Sequence, residues 1–173
     1  MGKLILVSGE NGSGKSLFAE KFIEKYIGKR YYIATMIPET EENYIRIDKH
    51  KKQRAGLDFI TLEIPYDLTS QSVPPDSVVL LEDVSNLLAN NLFEKNKGAE
   101  EIFEDILILA EKCKVLLAVT ISGLKNGSYD EETSLYIDNL NKLNKKLYNE
   151  ASVAVTMINK KPVYEKGENY DIY

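Results

Sequence analysis

The sequence has one cysteine, Cys113, one histidine, His50, and no tryptophan among its 173 residues. A single cysteine excludes an internal disulfide and any metal site built from several cysteines. Long apolar runs are also missing: the longest, around residues 115–119, has the length of a strand, whereas a membrane-spanning helix needs about 20 residues. No signal-peptide pattern precedes the first apolar segment. We therefore predict a cytoplasmic protein that does not insert into membranes.

An excess of positive charge is absent as well. The chain carries 27 acidic residues against 22 lysines and arginines, so its net charge is −5, and the two signs are mixed along the sequence. Nucleic acids attract proteins that concentrate positive charge on one face, so we do not expect DNA or RNA as a partner. The length and the 43% hydrophobic composition fit one globular domain that spans residues 1–173.

Apolar segments alternate with amphipathic segments along the chain. We predict strands at 3–8, 31–35, 59–64, 77–82, 114–120 and 151–158, and helices at 15–27, 39–54, 86–93, 99–112 and 131–149. Strands that are apolar on both faces and separated by helices predict an α/β fold, with a mostly parallel central sheet and helices on both faces. Residues 164–173 are polar and rich in tyrosine, which favours either a loose tail or an edge strand.

A glycine-rich motif follows the first predicted strand. The sequence there is Gly9-Glu10-Asn11-Gly12-Ser13-Gly14-Lys15-Ser16, which matches G-x-x-x-x-G-K-[ST] and opens a predicted helix. Glycines let successive backbone N–H groups turn toward phosphates, and the positive end of the helix favours the negative charge. We expect Lys15 to reach the β and γ phosphates and Ser16 to offer its hydroxyl to Mg²⁺, although Ser16 also suits an ordinary helix cap. The motif predicts a P-loop protein that binds a nucleoside triphosphate.

Two carboxylates, Glu82 and Asp83, end the predicted strand at 77–82. A P-loop enzyme needs a carboxylate at the end of another core strand to hold Mg²⁺ through water. Side chains alternate along a strand, so we expect only one of the two to face the phosphate loop. Asp83 is well placed to cap the next helix. We therefore favour Glu82, with Ser16, as the metal site and keep Asp83 as the alternative.

The single histidine lies in a basic segment. On the predicted helix at 39–54, His50 shares a face with Arg46 at i−4 and Arg54 at i+4, and three lysines surround it. A neutral imidazole can attack phosphorus and hold the transferred group as a phosphoramidate. The structural alternative is a solvated basic helix face, and the spacing alone favours that alternative.

This basic segment and its surroundings resemble one known family. The run Arg46-Ile47-x-x-His50-Lys51-x-x-Arg54, placed after a phosphate loop and a Tyr32-Ile33-Ala34-Thr35 strand, resembles the adenosylcobinamide kinase/adenosylcobinamide-phosphate guanylyltransferase family. The resemblance extends over nearly the whole chain. It includes Thr61-x-Glu63, Leu80-Leu81-Glu82, Asn90-Asn91-Leu92-Phe93 and Tyr136-Ile137-Asp138.

The resemblance implies a bifunctional enzyme of cobalamin nucleotide-loop assembly. Such an enzyme phosphorylates adenosylcobinamide and then joins the product to GMP from GTP with release of pyrophosphate, so the implied cofactors are GTP, ATP and Mg²⁺. His50 matches the family's guanylylated histidine, and His50, Lys15 and Glu82 are the implied catalytic residues. The implied partners are the nucleotide, the corrinoid and further copies of the chain, since the family forms oligomers that include trimers.

The nucleotide site implied by the resemblance combines the phosphate loop with residues from later segments. Its members are Gly9, Glu10, Asn11, Gly12, Ser13, Gly14, Lys15, Ser16, Ala34, Thr35, Met36, Arg46, Lys51, Lys52, Gln53, Arg54, Glu63 and Glu82.

Two other functions stay open at this point. After Val119-Thr120 the family typically has Asn-Glu-Val-Gly, whereas this chain has Ile121-Ser122-Gly123-Leu124. This difference would permit a related P-loop kinase or nucleotidyltransferase whose acceptor is not a corrinoid. The second alternative is a regulatory protein that binds a nucleotide without catalysis, and the histidine between two arginines at helical spacing argues against it. No motif here chooses between guanine and adenine.

Overall fold

The computed structural model describes residues 2–167. Strands and helices alternate along most of the chain. In order, they are β1 (Lys3–Gly9), α1 (Lys15–Ile23), β2 (Arg30–Ala34), α2 (Glu41–Gln53), β3 (Phe59–Glu63), β4 (Val78–Glu82), α3 (Val84–Glu94), α4 (Ala99–Lys112), β5 (Val115–Ile121), α5 (Glu131–Glu150), β6 (Val153–Ile158) and β7 (Lys161–Lys166).

The strands form one sheet in the order β3-β2-β4-β5-β1-β6-β7. Neighbouring strands pair in parallel except β6 and β7, which form an antiparallel hairpin. One apolar cluster joins the sheet to α3, α4 and α5, and a second joins it to α1, so helices cover both faces. The prediction of a mostly parallel α/β sheet with helices on both faces is therefore confirmed.

The central strands are apolar because each of their faces is covered. In β4 every residue is buried, and in β5 only the last, Ile121, is partly exposed. Parallel strands direct their carboxyl ends to the same edge, and Gly9 at the end of β1 is paired with Ile121 of β5 and Met157 of β6. The loop that follows β1 therefore leaves the middle of this edge, where open α/β sheets bind ligands.

Several helix boundaries differ from the predicted ones, and two of them have a local cause. The helix predicted at 15–27 ends at Ile23, because the next three residues form tighter i→i−3 hydrogen bonds, such as that from the Tyr26 N–H to the Ile23 carbonyl. The helix predicted to start at Asn86 starts at Val84, because the side chain of Asp83 caps it. Local capping and turn geometry decide both ends.

Helix α2 is exposed to solvent and contributes no buried residue to the core. Thr40 caps it by accepting the N–H of Asn43 at 3.2 Å, and acidic residues begin it while basic residues end it, as the helix dipole favours. Three side chains near its end, described below, contact residues of α1, β2 and β4.

The C-terminal segment predicted as tail or edge strand is only partly described. Residues 164–166 belong to edge strand β7, and residues 168–173 lie outside the described residues. Within residues 2–167, no helix combines the length and the apolar character needed to cross a membrane.

Candidate nucleotide-binding and transfer site

The phosphate loop joins β1 to α1 at the carboxyl edge of the sheet. Gly12 and Gly14 have φ angles of 76° and 87°, the left-handed region that glycine adopts without strain. Gly14 is the N-cap residue of α1, which begins at Lys15. The Lys15 ammonium donates a hydrogen bond to the carbonyl oxygen of Glu10 at 3.2 Å, so this side chain folds back over the loop.

A cavity of about 1170 Å³ adjoins this loop. Its walls come from the loop and α1, from one side of α2, from the end of β4 and from the β6–β7 hairpin. Ligand cavities in proteins commonly reach about 1,000 Å³, so a nucleotide fits within this space. The predicted site residues that line it are Asn11, Gly12, Gly14, Lys15, Ser16, Arg46, His50, Gln53 and Glu82.

The wall of this cavity offers oxygen atoms that suit Mg²⁺. Within residues 2–167, Ser16 Oγ and Glu82 Oε1 are buried and have no hydrogen-bond partner. Hydroxyl and carboxylate oxygens are the ligands that Mg²⁺ prefers. The described part of the chain has no group of three or more His, Cys, Asp or Glu side chains able to hold a metal on its own. The residues therefore fit a Mg²⁺ that takes its other ligands from water and phosphate oxygens.

Both carboxylates at the end of β4 line the cavity, so the prediction that only one of them faces the phosphate loop is wrong. Side chains alternate within a strand, but β4 ends at Glu82 and Asp83 belongs to the cap of α3. Asp83 Oδ1 accepts the N–H of Asn86 at 2.7 Å, as the capping alternative predicted. Burial raises the pKa of Asp83 to about 6. Burial also lowers the pKa of Lys15, and the two carboxylates oppose that change.

His50 lies beside one of these carboxylates. Its Nδ1 is 3.5 Å from Glu82 Oε2, and its side chain keeps 28% of its surface exposed. Burial lowers the pKa of His50, Glu82 acts to raise it, and Arg46, Arg54 and Lys49 lower it further. The imidazole is therefore neutral near pH 7. If Nδ1 carries the proton and faces the carboxylate, Nε2 has the free electron pair.

A buried tyrosine holds the carboxylate that faces His50. The Tyr32 hydroxyl donates to Glu82 Oε2 at 2.5 Å. The guanidinium of Arg54 lies 3.7 Å from the centroid of the Tyr32 ring, and Arg54 is only 7% exposed. Arg54 therefore packs on Tyr32 and does not line the cavity beside Arg46 and His50, so the predicted stripe of three basic residues is broken. The backbone N–H of Arg54 still donates to the His50 carbonyl at 3.1 Å, so the helical spacing is kept and only the direction of its side chain differs.

A second buried carboxyl ties α2 to α1. Gln53 Nε2 donates to Glu20 Oε2 at 2.7 Å, and Glu20 is 1% exposed. Burial raises the pKa of Glu20 to about 7, although the hydrogen bond from Gln53 opposes this shift. Gln53, which the resemblance places at the nucleotide, is thus held by the helix that follows the phosphate loop.

Replacing Glu20 by glutamine is expected to stabilise the protein more at pH 8 than at pH 5. The folded pKa of about 7 exceeds the unfolded value of 4.5, so burial favours the protonated form. Ionisation of Glu20 therefore destabilises the folded wild-type protein. This destabilisation is absent below the unfolded pKa and complete once the pH exceeds about 7. At about 1.4 kcal/mol per pKa unit, a shift of this size sets an upper limit of about 3.5 kcal/mol.

Urea unfolding of both proteins at the two pH values measures this difference. Glutamine keeps the oxygen that accepts from Gln53, so the comparison isolates the charge. Glu24→Gln, at an exposed position one turn along the chain, is the control and should show no such pH dependence. An equal change in unfolding free energy at pH 5 and pH 8 for Glu20→Gln would show that the carboxyl is not protonated in the folded protein.

A second cavity, of about 750 Å³, lies between the end of α2 and β3. It contains Lys51, Arg54 and Glu63, which the resemblance assigns to the nucleotide, together with the ring of Phe59. These three residues do not line the phosphate-loop cavity. The structure thus distributes the predicted nucleotide residues over two cavities, one on each side of the α2 C-terminal end.

The other predicted contacts line neither cavity: Gly9, Glu10, Ser13, Ala34, Thr35, Met36 and Lys52. The Thr35 hydroxyl is fully buried and exchanges two hydrogen bonds of 2.8 Å with the backbone of Asp83. It therefore fixes the end of β2 against the β4–α3 junction. Lys52 points to solvent and pairs with Asp48 at 2.9 Å.

Sequence reasoning missed Tyr32, Glu20 and Lys160. Tyr32 was assigned only to a strand, and its contact with Glu82 joins residues 50 positions apart. Glu20 had a detectable signal, since it lies among the apolar residues of α1 and a carboxylate there needs a partner. Lys160, Pro162 and the partly buried Tyr164 line the phosphate-loop cavity although they come from the segment furthest from the loop in sequence.

These features define the class of protein. A glycine-rich loop between a central parallel strand and a helix, with carboxylates at the end of another core strand, is the site of a P-loop nucleotide-binding protein. More specifically, the chain belongs to the cobinamide kinase / cobinamide phosphate guanyltransferase family, which matches residues 5–163. This confirms the resemblance found in the sequence and supports transferase activity in cobalamin biosynthesis.

Solved structures support the fold. A protein from Pyrococcus horikoshii OT3, the subject of a structural study, is similar with a TM-score of 0.56 and 11% identity over 98% of this chain and 89% of that one. An ATPase from the type III secretion system of pathogenic bacteria has a TM-score of 0.55 and 9% identity over 90% of this chain and 51% of that one. This chain thus spans about half of the ATPase. No curated protein matches the chain by sequence.

Proposed function

We propose that this protein is a bifunctional kinase and guanylyltransferase that phosphorylates a cobinamide and then transfers GMP to the product through His50. One observation carries the proposal: His50 lies in the same cavity as the phosphate loop, with its Nδ1 3.5 Å from Glu82. A solvated basic helix face has no reason to direct its histidine at a buried carboxylate. The regulatory alternative does not account for this pairing either.

In the guanylyl step, Nε2 of His50 attacks the α phosphorus of GTP. The bond between Nε2 and phosphorus forms while the bond from the α phosphorus to the bridging oxygen breaks, and pyrophosphate leaves. Lys15 and the phosphate loop hold the β and γ phosphates that become pyrophosphate. An oxygen of the cobinamide phosphate then attacks the same phosphorus, and His50 is released unchanged. The Nδ1–H group of His50 donates a hydrogen bond to the Glu82 carboxylate, which thereby orients the ring.

The guanosine of this nucleotide points past α2 into the second cavity. His50 faces one cavity and Lys51 and Arg54 face the other, so an α phosphate at His50 leaves its nucleoside near the end of α2. The Phe59 ring and the Glu63 carboxylate offer a stacking surface and a hydrogen-bond acceptor there. A carboxylate can accept two N–H groups from guanine but meets only one amino group on adenine, which favours GTP.

In the kinase step, a hydroxyl of the cobinamide attacks the γ phosphorus, the bond to the β phosphate breaks, and the proton passes to solvent or to a carboxylate. Ser16 and Glu82 would hold Mg²⁺, which neutralises charge on the phosphates when it is bound. Asp83, with its raised pKa and its place on the cavity wall, is the nearby group able to accept the proton.

The acceptor reaches the phosphates beside the loop after β5. Ser122 donates its N–H to the carbonyl of Gly9, and a side chain added at Gly123 would approach Glu10 at 3.2 Å. The segment that departs from the family's usual sequence is thus next to the phosphate loop. A P-loop transferase with a different acceptor remains the second candidate, because this segment is where acceptor specificity would change.

The test is incubation with Mg-GTP labelled on either the α or the γ phosphate, followed by denaturation. We expect label from the α phosphate to stay on the protein and label from the γ phosphate to leave as pyrophosphate. A phosphorus–nitrogen bond is labile in acid and stable in base, whereas an acyl phosphate on Glu or Asp is labile in base. Absence of an acid-labile α label, or retention of the γ label, would contradict guanylyl transfer through histidine.

Glu82→Gln is expected to slow the labelling of His50 by about 10- to 100-fold, while Asp83→Asn slows it less. Only Glu82 lies beside His50, and asparagine at 83 can still cap α3 through its side-chain oxygen. Roughly 1.4 kcal/mol corresponds to each factor of ten. Quenched-flow labelling at saturating GTP measures the rate, and a titration of Mg²⁺ shows whether the loss reflects metal binding. A greater loss for Asp83→Asn would reassign the carboxylate that acts on His50.

A further inference from the structure

The β6–β7 hairpin forms a wall of the phosphate-loop cavity that the proposed reactions do not use. Its turn consists of Asn159 and Lys160, with φ angles of 49° and 63°, so both residues are in the left-handed conformation. Such a two-residue turn sends the chain directly back along β6. Lys160, Pro162 and Tyr164 then recur at every second position and line the cavity together.

The turn lies against the start of α1. A Cβ atom built on Gly14 would lie 3.6 Å from Lys160 Cγ and 3.7 Å from its Cα. The lysine side chain therefore lies close to the last glycine of the phosphate loop, with room between them for little more than a Cβ atom. Further along the hairpin, Tyr164 packs against the apolar cluster that contains Phe18 of α1 and Met157 of β6. The wall thus has a cation at the loop and an aromatic ring beyond it.

The order of the strands in the sheet indicates how a nucleotide held by the phosphate loop is oriented. On one side of β1 lie β5 and then β4, which ends at Glu82, and on the other side lie β6 and β7. Strands are about 4.8 Å apart, so β4 with its carboxylate is about 10 Å from β1 on one side, while on the other side β6 adjoins β1 directly and β7 is about 10 Å away. A γ phosphate directed toward Glu82 for transfer therefore leaves its nucleoside on the side of the hairpin.

We propose that this hairpin binds the nucleoside side of the triphosphate that donates a phosphoryl group, with Lys160 contacting its α phosphate and the Tyr164 ring and Pro162 contacting ribose or base. The inference rests on the proposed function in that it assigns this position to the kinase step. The nucleotide that guanylylates His50 has the opposite orientation, with its nucleoside toward the second cavity. One phosphate loop thus serves two nucleotide orientations, one for each reaction.

Binding of a non-hydrolysable Mg-triphosphate, the β,γ-imido analogue of ATP, tests the hairpin by calorimetry. We expect Lys160→Ala and Tyr164→Ala each to weaken binding by about 5- to 20-fold, in the range of a charge-assisted hydrogen bond or one stacked base. Lys161→Ala removes the neighbouring exposed lysine, which does not line the cavity, and should bind like the wild type. Light-induced cross-linking of 8-azido-ATP, mapped by mass spectrometry, should mark the hairpin.

The outcomes separate this proposal from the guanylyl transfer. Wild-type affinity in both Lys160→Ala and Tyr164→Ala, or an equal loss in Lys161→Ala, overturns the role of the hairpin. Cross-links confined to residues around the second cavity overturn it too. Without α labelling of His50 the guanylyl proposal fails, while the calorimetric comparison still decides whether the hairpin binds a nucleotide. A loss of α labelling as large as the loss of analogue binding would assign the hairpin to both reactions and overturn the two-orientation model.

Discussion

His50→Ala is expected to abolish covalent labelling of the protein by GTP while leaving GTP binding within about threefold of the wild type. The imidazole supplies the nucleophile, and no other described histidine exists to replace it, since the sequence contains only one. The loss should exceed about 10³-fold, as is usual when a nucleophile is removed. Binding should persist because the phosphate loop supplies most contacts with the triphosphate.

A matched control keeps the hydrogen-bonding shape of the side chain. His50→Gln retains a polar group facing Glu82 but has no nucleophilic nitrogen, so it should fail to label as His50→Ala does. If either variant still forms an acid-labile adduct, the nucleophile is elsewhere. If both lose GTP binding as well, His50 is a binding residue and the covalent intermediate is not supported.

The pH dependence of labelling gives an independent check on the same residue. Attack needs an unprotonated ring, and burial lowers the pKa of His50 below its ordinary value of 6.5. The reactive fraction is therefore larger at each pH than for an ordinary histidine, and it falls to one half at the lowered pKa. Single-turnover labelling rates from pH 5 to pH 8 should reach their half-maximum below pH 6.5. A rate that falls already between pH 8 and pH 7 would mean that the carboxylate of Glu82 keeps the ring protonated.

The local parts of the site could be predicted from the sequence. The phosphate loop is one continuous run of eight residues, and the conformations of Gly12 and Gly14 follow from their lack of a side chain. The alternation of strands and helices was visible because each central strand is a short apolar run. The cap formed by Asp83 was also predictable, since it involves only Asn86, three residues away.

The parts built from distant segments could not be predicted in this way. Tyr32 and Glu82 meet only because β2 and β4 are neighbours in the sheet, and Gln53 reaches Glu20 only because the end of α2 packs near α1. Helical spacing places Arg54 one turn after His50, but its side chain packs on Tyr32 and does not line the cavity. The spacing of residues along the chain does not determine which neighbour a side chain packs against.

Lys15→Ala is expected to weaken the binding of Mg-GTP and Mg-ATP by about 2–4 kcal/mol, or roughly 30- to 1,000-fold in Kd. Lys15 is the lysine of the loop, and its ammonium already lies over the loop, 3.2 Å from the Glu10 carbonyl. Burial disfavours its charged form in the free protein, as its lowered pKa shows. Removing the charge should therefore leave the unfolding free energy unchanged or slightly higher, so weaker binding reflects the lost phosphate contact.

Calorimetry with both nucleotides measures this loss, and Lys21→Ala provides the comparison on the same helix. Lys21 also lines the cavity but lies almost two turns further along α1, away from the loop. A cation at that distance from the phosphates contributes less, so we expect Lys21→Ala to weaken binding by under about 1 kcal/mol. Unchanged affinity in Lys15→Ala for both nucleotides would mean that the loop does not hold a triphosphate. Equal losses in the two lysine variants would assign the effect to the general positive charge of the cavity and leave the loop without a specific role.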